Sequence, residues 1–284
     1  MDITHQASKV ATKMNIKNIL TLVDERKAVL DAHRPLPAVT VNSIRNKLAL
    51  DWTYHSNAIE GNTLDIHETK AILEDGITIG RKSLKEHLEA VNHKDAIHLV
   101  EKMVAKAEEI NTGNIKKIHY SVLKGIDEEN AGFYRRSPVM VVGANFVPTN
   151  PVKIDREMNA LEDWYKSKEA QALHPIERAA ELHTRFVTIH PFVDGNGRTA
   201  RLLLNLELMR EGYPPAIIQK EERQYYYRSL DKARETGKHD ELAPMVALRV
   251  ADNLDLYLLM ATGNRPQPLH EQLDRQDGHS NNAR

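Results

Sequence analysis

The chain has 284 residues, which is long enough for one large domain, or for one domain with a helical extension, and for a substantial buried core. Its composition is that of a globular protein, because 41% of the residues are hydrophobic and 28% are charged. The absence of cysteine excludes a disulfide framework, a thiolate nucleophile and cysteine-based metal sites.

Charge and hydropathy also narrow the possible partners. The formal net charge of -1 gives no electrostatic basis for general nucleic-acid binding. No apolar run approaches the roughly 20 residues that a spanning helix needs, and the opening MDITHQASKV lacks the apolar segment of a signal peptide. These features predict a cytoplasmic protein that binds neither nucleic acid nor a membrane.

Hydrophobic periodicity predicts helices along nearly the whole chain. Apolar residues at steps of three and four predict a first helix around residues 16–30, and a second helix over 40–60 that ends at Gly61. Ser83 followed by Glu86 is a capping-box pattern that opens a long amphipathic helix. Further helices are predicted at 65–73, 115–125, 155–167, 175–190, 198–212, 222–236 and 241–261. The sequence therefore predicts an all-α fold.

Two stretches depart from the helical pattern. Residues 137–151 are β-branched and apolar on both sides of Gly143-Ala144-Asn145, which predicts a β-hairpin inserted among the helices. The tail from 263 to 284 is polar and contains proline, so it is predicted to be disordered. No internal repeat is present.

The segment that carries chemistry is HPFVDGNGRTAR, residues 190–201. Pro191 disfavours helical geometry at the residue before it, which places His190 at the junction of a helix and a loop. Gly195 and Gly197 allow backbone angles that turn successive N–H groups towards one ligand. Because the loop runs into a helix N-terminus, the segment is a candidate phosphate site.

Charged residues in the same segment extend this interpretation. Arg198 and Arg201 lie three residues apart in the first helical turn, where the macrodipole disfavours cations unless an anion is bound nearby. Asp194 precedes the glycines, and one carboxylate together with phosphate oxygens and water suits Mg²⁺. With His190 available for proton abstraction, these residues supply the parts needed for nucleotidyl transfer.

The segment resembles the signature of the Fic family. That signature is His-Pro-Phe, two residues, Gly-Asn-Gly-Arg, two residues and Arg, with an acidic residue before the first glycine, and every defining position matches. The likeness extends from about Thr40 to Ala261. It implies a Fic-fold helical bundle with an inserted β-hairpin, called the flap, and an N-terminal helical extension.

The resemblance also implies an activity and the roles of the signature residues. The activity is transfer of AMP from ATP to Ser, Thr or Tyr hydroxyls of a target protein or of the enzyme itself, with release of pyrophosphate. His190 would deprotonate the hydroxyl, and Asp194 would hold Mg²⁺ against the α- and β-phosphates. The phosphates would be bound by Gly195, Asn196, Gly197, Arg198 and Arg201.

Two further elements resemble parts of Fic enzymes. The segment GFYR, residues 132–135, followed by residues 138–148, resembles the flap, and within it Val139 and Val141 are expected nearest the nucleotide. Tyr226 and Tyr227 match the tyrosines that close the adenosine pocket in Fic enzymes of the animal type. Arg234 stands where those enzymes carry Asn, which leaves the adenosine contact at that position open.

The segment SNAIEG, residues 56–61, matches the Fic inhibitory motif of Ser or Thr, three residues, Glu, and then Gly or Asn. Because the motif precedes the catalytic signature, the chain resembles a class II Fic protein, whose inhibitory helix lies N-terminal to the core. The implied mechanism is a salt bridge from Glu60 to Arg201 that makes ATP bind unproductively. Ser56 lies one turn before Glu60 on the same helix face.

The resemblance divides the chain into four parts: a helix with its linker at 1–38, the inhibitory helix and helical N-terminal part at 39–112, the catalytic core at 113–262, and the tail at 263–284. The oligomeric state stays open, with a homodimer as one possibility.

Other functions remain alternatives. A Fic-fold enzyme could remove AMP, or could transfer UMP or phosphocholine, and a catalytically silent protein could bind nucleotide and a partner. A metal hydrolase using His183, His190 and Asp194 is a further alternative, although this spacing matches no known zinc pattern.

Overall fold

The architecture is helical throughout the part of the chain that the computed structural model describes, which is residues 16–140, 146–238, 241–269 and 272. These residues form eleven α-helices and two 3-10 turns, Pro151–Lys153 and Lys220–Glu222. The helices are α1 Ile16–Asp31, α2 Ala38–Ile59, α3 Ile66–Asp75, α4 Leu84–Ala105, α5 Thr112–Leu123, α6 Ile154–Lys166, α7 Lys168–Ala172, α8 Pro175–Ile189, α9 Asn196–Arg210, α10 Arg223–Thr236 and α11 Leu242–Thr262. None of these helices combines the length and apolar character that crossing a membrane requires.

Local sequence signals set the ends of the helices, and every predicted helix is confirmed. α3 and α4 each begin with a capping box, in which Asp65 or Ser83 accepts a hydrogen bond from the backbone N–H three residues later. α3 ends at Gly76, whose φ of 66° is open to glycine at little cost. The pattern did not predict α7, because five residues are too few to show a helical period.

Helix α9 lies at the centre of the bundle and packs against α4, α5 and α8. Nearly every residue from Asn196 to Leu208 is buried, which is typical of a helix that is surrounded by others. The first turn of α9 carries the glycines and arginines of the signature. The fold therefore places the predicted site at the N-terminal end of the buried helix α9.

The N-terminal helix α1 packs against the last helix, α11. Arg26 on α1 forms an ion pair with Asp255 at 2.9 Å, and it donates to the carbonyl of Gln267 at 2.6 Å. Leu269 is buried in the same core. Within the tail that the sequence predicts to be disordered, the Gln267 carbonyl and the Leu269 side chain therefore contact the helices, whereas most of residues 263–268 are exposed. The rest of the tail, apart from Gln272, lies outside the described residues.

The segment predicted to be a β-hairpin, residues 137–151, contains no strand in its described arms. The carbonyls of Ser137 and Thr149 accept hydrogen bonds from the guanidinium of Arg135 instead of from a neighbouring strand. Each arm also contains proline, which lacks the N–H that a ladder needs. The tip of the predicted hairpin, residues 141–145, lies outside the described residues.

Candidate active site

His190 follows the last residue of α8 in a left-handed conformation, with φ 51° and ψ 60°. Its backbone N–H donates to the carbonyl of Phe186 at 3.0 Å, and Pro191 then ends the helix. Burial, followed by the charge of Arg135, lowers the pKa of His190 to about 4. The imidazole is therefore neutral at pH 7 and can accept a proton.

The loop between α8 and α9 is held in one conformation by Asn196. Its side chain accepts from the N–H of Phe192 at 3.0 Å and donates to the carbonyl of the same residue at 2.9 Å. Gly195 precedes α9 with a φ of 75°. The first N–H groups of α9 have no acceptor in their own helix, so they are available to an anion. Asn196 can thus contribute only its backbone to such a site.

Arg198 lies almost entirely inside the protein, with 2% of its surface exposed. Its guanidinium is 3.2 Å from the carboxylate of Glu89 on α4 and 3.4 Å from that of Asp194. Within the described chain, its Nε has no hydrogen-bond partner. A buried donor without a partner beside a helix N-terminus favours a bound anion at this point.

Asp194 comes two residues before the first residue of α9, and its side chain is half exposed. Oδ1 accepts from the N–H of Gly195 at 2.6 Å, and Oδ2 lies 3.8 Å from the ammonium of Lys85. Burial raises the pKa of Asp194, but Arg198 and the Gly195 N–H outweigh it, so the pKa falls below its usual value. The carboxylate is therefore ionised and partly open to solvent.

Arg201, one turn after Gly197, is bound from the opposite side by the end of α2. It donates to the Ser56 hydroxyl at 3.0 Å and to the Ser56 carbonyl at 2.8 Å. It also forms the 2.8 Å salt bridge with Glu60 that the sequence predicts. Burial lowers the pKa of Arg201, but the neighbouring Glu60 carboxylate and other groups raise it by more, so the pKa lies above its usual value.

The carboxylate of Glu60 also lies against the backbone of Gly197. A Cβ atom at position 197 would stand 2.2 Å from Oε1 of Glu60 and 3.2 Å from Nη1 of Arg201. Both distances are shorter than ordinary van der Waals contact, so a side chain at position 197 would displace the Glu60 carboxylate. Glu60 thus occupies space directly beside the start of α9, where a phosphate would be bound.

The two predicted adenosine tyrosines lie in different environments. Tyr226 is buried, with its hydroxyl 2.8 Å from Nε2 of His183 and 3.4 Å from Nη1 of Arg201. Tyr227 is partly exposed, and its hydroxyl donates to the carbonyl of Ile59 at 3.4 Å.

The described residues contain no group of three His, Asp or Glu side chains that could hold a metal ion. Because His183 is committed to Tyr226 in the core, the metal-hydrolase alternative has no support.

The described arms of the loop 136–150 lie beside His190. The ring of Phe146 is 6.4 Å from the His190 ring, and the guanidinium of Arg234 stacks 3.7 Å above Phe146. Val139 is partly buried, and Val141 lies outside the described residues. The side chain of Arg234 therefore packs against Phe146 of this loop and not against an open pocket.

Comparison with known proteins identifies the family that shares this arrangement. The model of the Fic/DOC family matches residues 109–208. The structure of Fic-1 from C. elegans is 33% identical over 88% of this chain and 74% of that chain, with a TM-score of 0.77. The chain belongs to the Fic/DOC family. A Fic domain containing signaling protein from Bacteroides thetaiotaomicron is 28% identical over 86% of this chain and 98% of its own, with a TM-score of 0.76.

A sequence relative extends the family assignment. The protein adenylyltransferase Fic from Nematostella vectensis is 42% identical over 250 residues, which are 87% of this chain and 57% of that protein. The chain thus spans little more than half the length of this relative.

Three polar residues of this Fic site were missed in the sequence. Glu89 pairs with Arg198. His119 lies within 2.9 Å of both the Asp194 carbonyl and the Gly132 N–H, and it stacks on a phenylalanine of the signature. Arg135 binds the carbonyl of His190 at 2.8 Å. No spacing pattern marks Glu89 or His119, and Arg135 belongs to the GFYR segment, which marks the flap but gives the arginine no role.

Proposed function

We propose that this Fic protein transfers AMP from ATP to Ser, Thr or Tyr hydroxyls of target proteins, and also to itself. The observation that carries the proposal is a neutral His190 beside a helix N-terminus that holds Arg198 and Arg201 in the protein interior. Relatives named protein adenylyltransferase Fic support it. The chain spans 57% and 53% of the length of those two relatives.

In the proposed reaction, His190 accepts the proton of the target hydroxyl while the hydroxyl oxygen attacks the α-phosphorus of ATP. The new P–O bond forms as the bond to the bridging oxygen breaks, and pyrophosphate leaves. The product is AMP esterified to the target. A neutral imidazole is the form that this step needs, which is why the lowered pKa of His190 matters.

Asp194 would hold Mg²⁺ in this site. Its ionised, half-exposed carboxylate fits an ion that is bound by one carboxylate together with phosphate oxygens and water. When bound, the ion neutralises phosphate charge and stabilises the leaving pyrophosphate.

The remaining assignments concern the nucleotide. The N–H groups of Gly195, Asn196 and Gly197 would bind phosphate oxygens at the start of α9. Arg198 and Arg201 would bind the β- and γ-phosphates through charge-assisted hydrogen bonds.

At the adenosine end we propose contacts from Tyr226, Tyr227, Val139 and Val141. Tyr227 is the more exposed of the two tyrosines, whereas Tyr226 stands behind Arg201. The burial of Tyr226 is consistent with a role in which its hydroxyl orients Arg201.

We further propose that Glu60 inhibits the transfer. The salt bridge holds the side chain of Arg201 against the end of α2, and the Glu60 carboxylate fills the space beside Gly197. A charge-assisted, largely desolvated pair of this kind contributes roughly 1.5–3 kcal/mol, which corresponds to about a 10- to 100-fold reduction in productive ATP binding. Ser56 adds two hydrogen bonds that keep Arg201 in the inhibited position.

The test compares wild type, Glu60→Gly and Glu60→Gly/His190→Ala with radiolabelled ATP and a cell lysate. We expect weak labelling by wild type, strong labelling by Glu60→Gly and none by the double variant. Equal labelling by wild type and Glu60→Gly would contradict inhibition. Mass spectrometry of the product separates AMP from UMP and phosphocholine by the added mass.

Removal of AMP is a second candidate, because the side chain of Glu60 is one third exposed and could orient a water molecule near the site. A purified AMP-modified target that loses its label only when Glu60 is present would support this activity. ATP binding without any transfer by Glu60→Gly would instead support a silent nucleotide-binding regulator.

A further inference from the structure

Arg135 is a buried arginine that the proposed reaction does not use. Only 3% of its surface is exposed. Nε donates to the carbonyl of His190 at 2.8 Å, Nη1 donates to that of Ser137 at 3.1 Å, and Nη2 donates to that of Thr149. Its own backbone N–H donates to the carbonyl of Pro191 at 2.9 Å. The residue thus joins the catalytic turn to both arms of the loop 136–150.

The guanidinium of Arg135 has no carboxylate partner within the described part of the chain. Burial lowers the pKa of Arg135, since removing a cation from water disfavours its charged form. Three carbonyl acceptors in a fixed arrangement match the planar fork of a guanidinium. A lysine ammonium cannot reproduce that arrangement, because its donors sit on a single nitrogen.

These contacts hold His190 on both sides of a strained backbone. A left-handed, non-glycine residue is disfavoured and persists only where surrounding contacts fix it. The His190 N–H is bound within α8, and its carbonyl is bound by Arg135. Because the next carbonyl, at Pro191, accepts from the Arg135 backbone, the turn cannot rotate without breaking two of these bonds.

We propose that Arg135 is a positioning residue for the AMP transfer proposed above. It orients the imidazole of His190 by fixing the backbone on which that ring stands. It also fixes both ends of the loop 136–150, whose Phe146 lies beside the same ring. The inference rests on the proposed function, since positioning matters only if His190 takes part in the reaction.

The test places Arg135→Lys and Arg135→Met in the Glu60→Gly protein and measures self-modification over a range of ATP concentrations. We expect the maximal rate to fall by about 10- to 100-fold, because misplacing a catalytic group by about 1 Å costs this much. The ATP concentration for half-maximal rate should change by less than the maximal rate does, because Arg135 binds the His190 carbonyl directly and reaches the proposed nucleotide contact Val139 only through the loop.

A pH profile adds a readout that a purely structural role would not move. The charged groups that face His190 are Arg135, Arg234 and Glu60, and Glu60 is absent from the test protein. Arg135→Met removes one positive charge, so the acid limb of the maximal rate should move to higher pH. Arg135→Lys keeps the charge and should leave the limb in place while still slowing the reaction.

Arg178→Lys is the matched control. Arg178 is equally buried but pairs with Glu207 and Glu211, away from His190. This variant should lower the melting temperature and leave both the maximal rate per folded molecule and the pH profile unchanged. Normal rates in both Arg135 variants, or a change confined to the ATP dependence, would overturn the inference.

The design separates failure of this inference from failure of the proposed function. If Glu60→Gly with Arg135 intact transfers no AMP, the proposed function fails. The position of the His190 imidazole is then read by NMR titration of its ring proton in wild type and Arg135→Lys. An unchanged chemical shift and pKa would overturn the positioning role, and a displaced shift would support it. Arg135→Lys alone decides the question if Arg135→Met does not fold.

Discussion

The central helix α9 contributes one residue to an arginine–glutamate pair near each of its ends, and the two pairs differ in their access to solvent. Near the C-terminal end, Glu207 is fully buried, accepts from Arg178 at 2.5 Å and also accepts from the hydroxyl of Tyr165. Near the N-terminal end, Arg201 is buried, but Glu60 keeps 32% of its side chain exposed. The same chemistry thus occurs in a closed contact in one place and in a partly solvent-exposed contact in the other.

The difference teaches that accessibility, rather than bond length, separates the two roles. Arg178 and Glu207 lie between α8 and α9, where nothing can replace the carboxylate. Glu60 lies at the end of α2 against Gly197, at the point where a phosphate would approach Arg201. A competing anion can reach only the second pair.

The largest effect is expected from Glu207→Gln. Neutralising the carboxylate leaves Arg178 buried without full charge compensation, which should lower the free energy of unfolding by about 3–5 kcal/mol. Urea denaturation measures this change. AMP transfer per folded molecule should stay the same, and a loss of stability below about 1 kcal/mol would show that the closed pair is not structural.

The matched change at the other pair, Glu60→Gln, should affect activity more than stability. Arg201 is as buried as Arg178, but Ser56 still binds it and Glu60 is partly exposed, so the free energy of unfolding should fall by about 1.5–3 kcal/mol, less than in Glu207→Gln. Self-modification with labelled ATP should increase by about 10-fold or more, because Arg201 is released. If Glu60→Gln is as unstable as Glu207→Gln and no more active, the contrast between the two pairs fails.

A smaller effect tests the contact between Glu60 and Gly197. A Cβ at position 197 would clash with the Glu60 carboxylate, so Gly197→Ala should destabilise wild type by about 1–3 kcal/mol. In Glu60→Gly the clash is removed, and the same substitution should cost much less. Equal costs in the two backgrounds, measured by thermal denaturation of the four proteins, would show that the carboxylate does not rest there.

The smallest effect concerns the loss of stability as the pH falls. Burial lowers the pKa of His119 to about 4 from its usual 6.5, so the unfolded chain binds the proton first as pH falls. The associated stability is complete above about pH 6.5 and is lost towards pH 4. Over the first pH unit below 6.5, His119→Gln should therefore flatten the decline in unfolding free energy by about 1 kcal/mol. The exposed His67→Gln serves as the control, and an identical decline in both variants would contradict the prediction.

Much of the fold could be predicted from the sequence, because amphipathic periods over long windows and capping boxes are local signals. The predicted hairpin at 137–151 was not found in its described arms, for a reason that composition cannot show. β-branched residues favour strands, but the guanidinium of Arg135 binds the carbonyls of both arms. Which side chain binds a loop carbonyl depends on tertiary structure.

The site divides in the same way. The signature residues are close in sequence, so the junction of a loop and a helix N-terminus already implied that they meet. The contact of Glu60 with Arg201 spans 141 positions, and only the resemblance to the inhibitory motif predicted it. The contacts of His119 and Arg135 were missed because the carbonyl and N–H groups that these side chains bind come together only on folding.

The most direct test of the central claim is the intact mass of purified Glu60→Gly protein after incubation with ATP and Mg²⁺. The account predicts a gain equal to one or more AMP groups, and no gain when His190 is also changed to Ala. The same gain in both proteins would show that His190 is not the catalytic base, and would contradict the account.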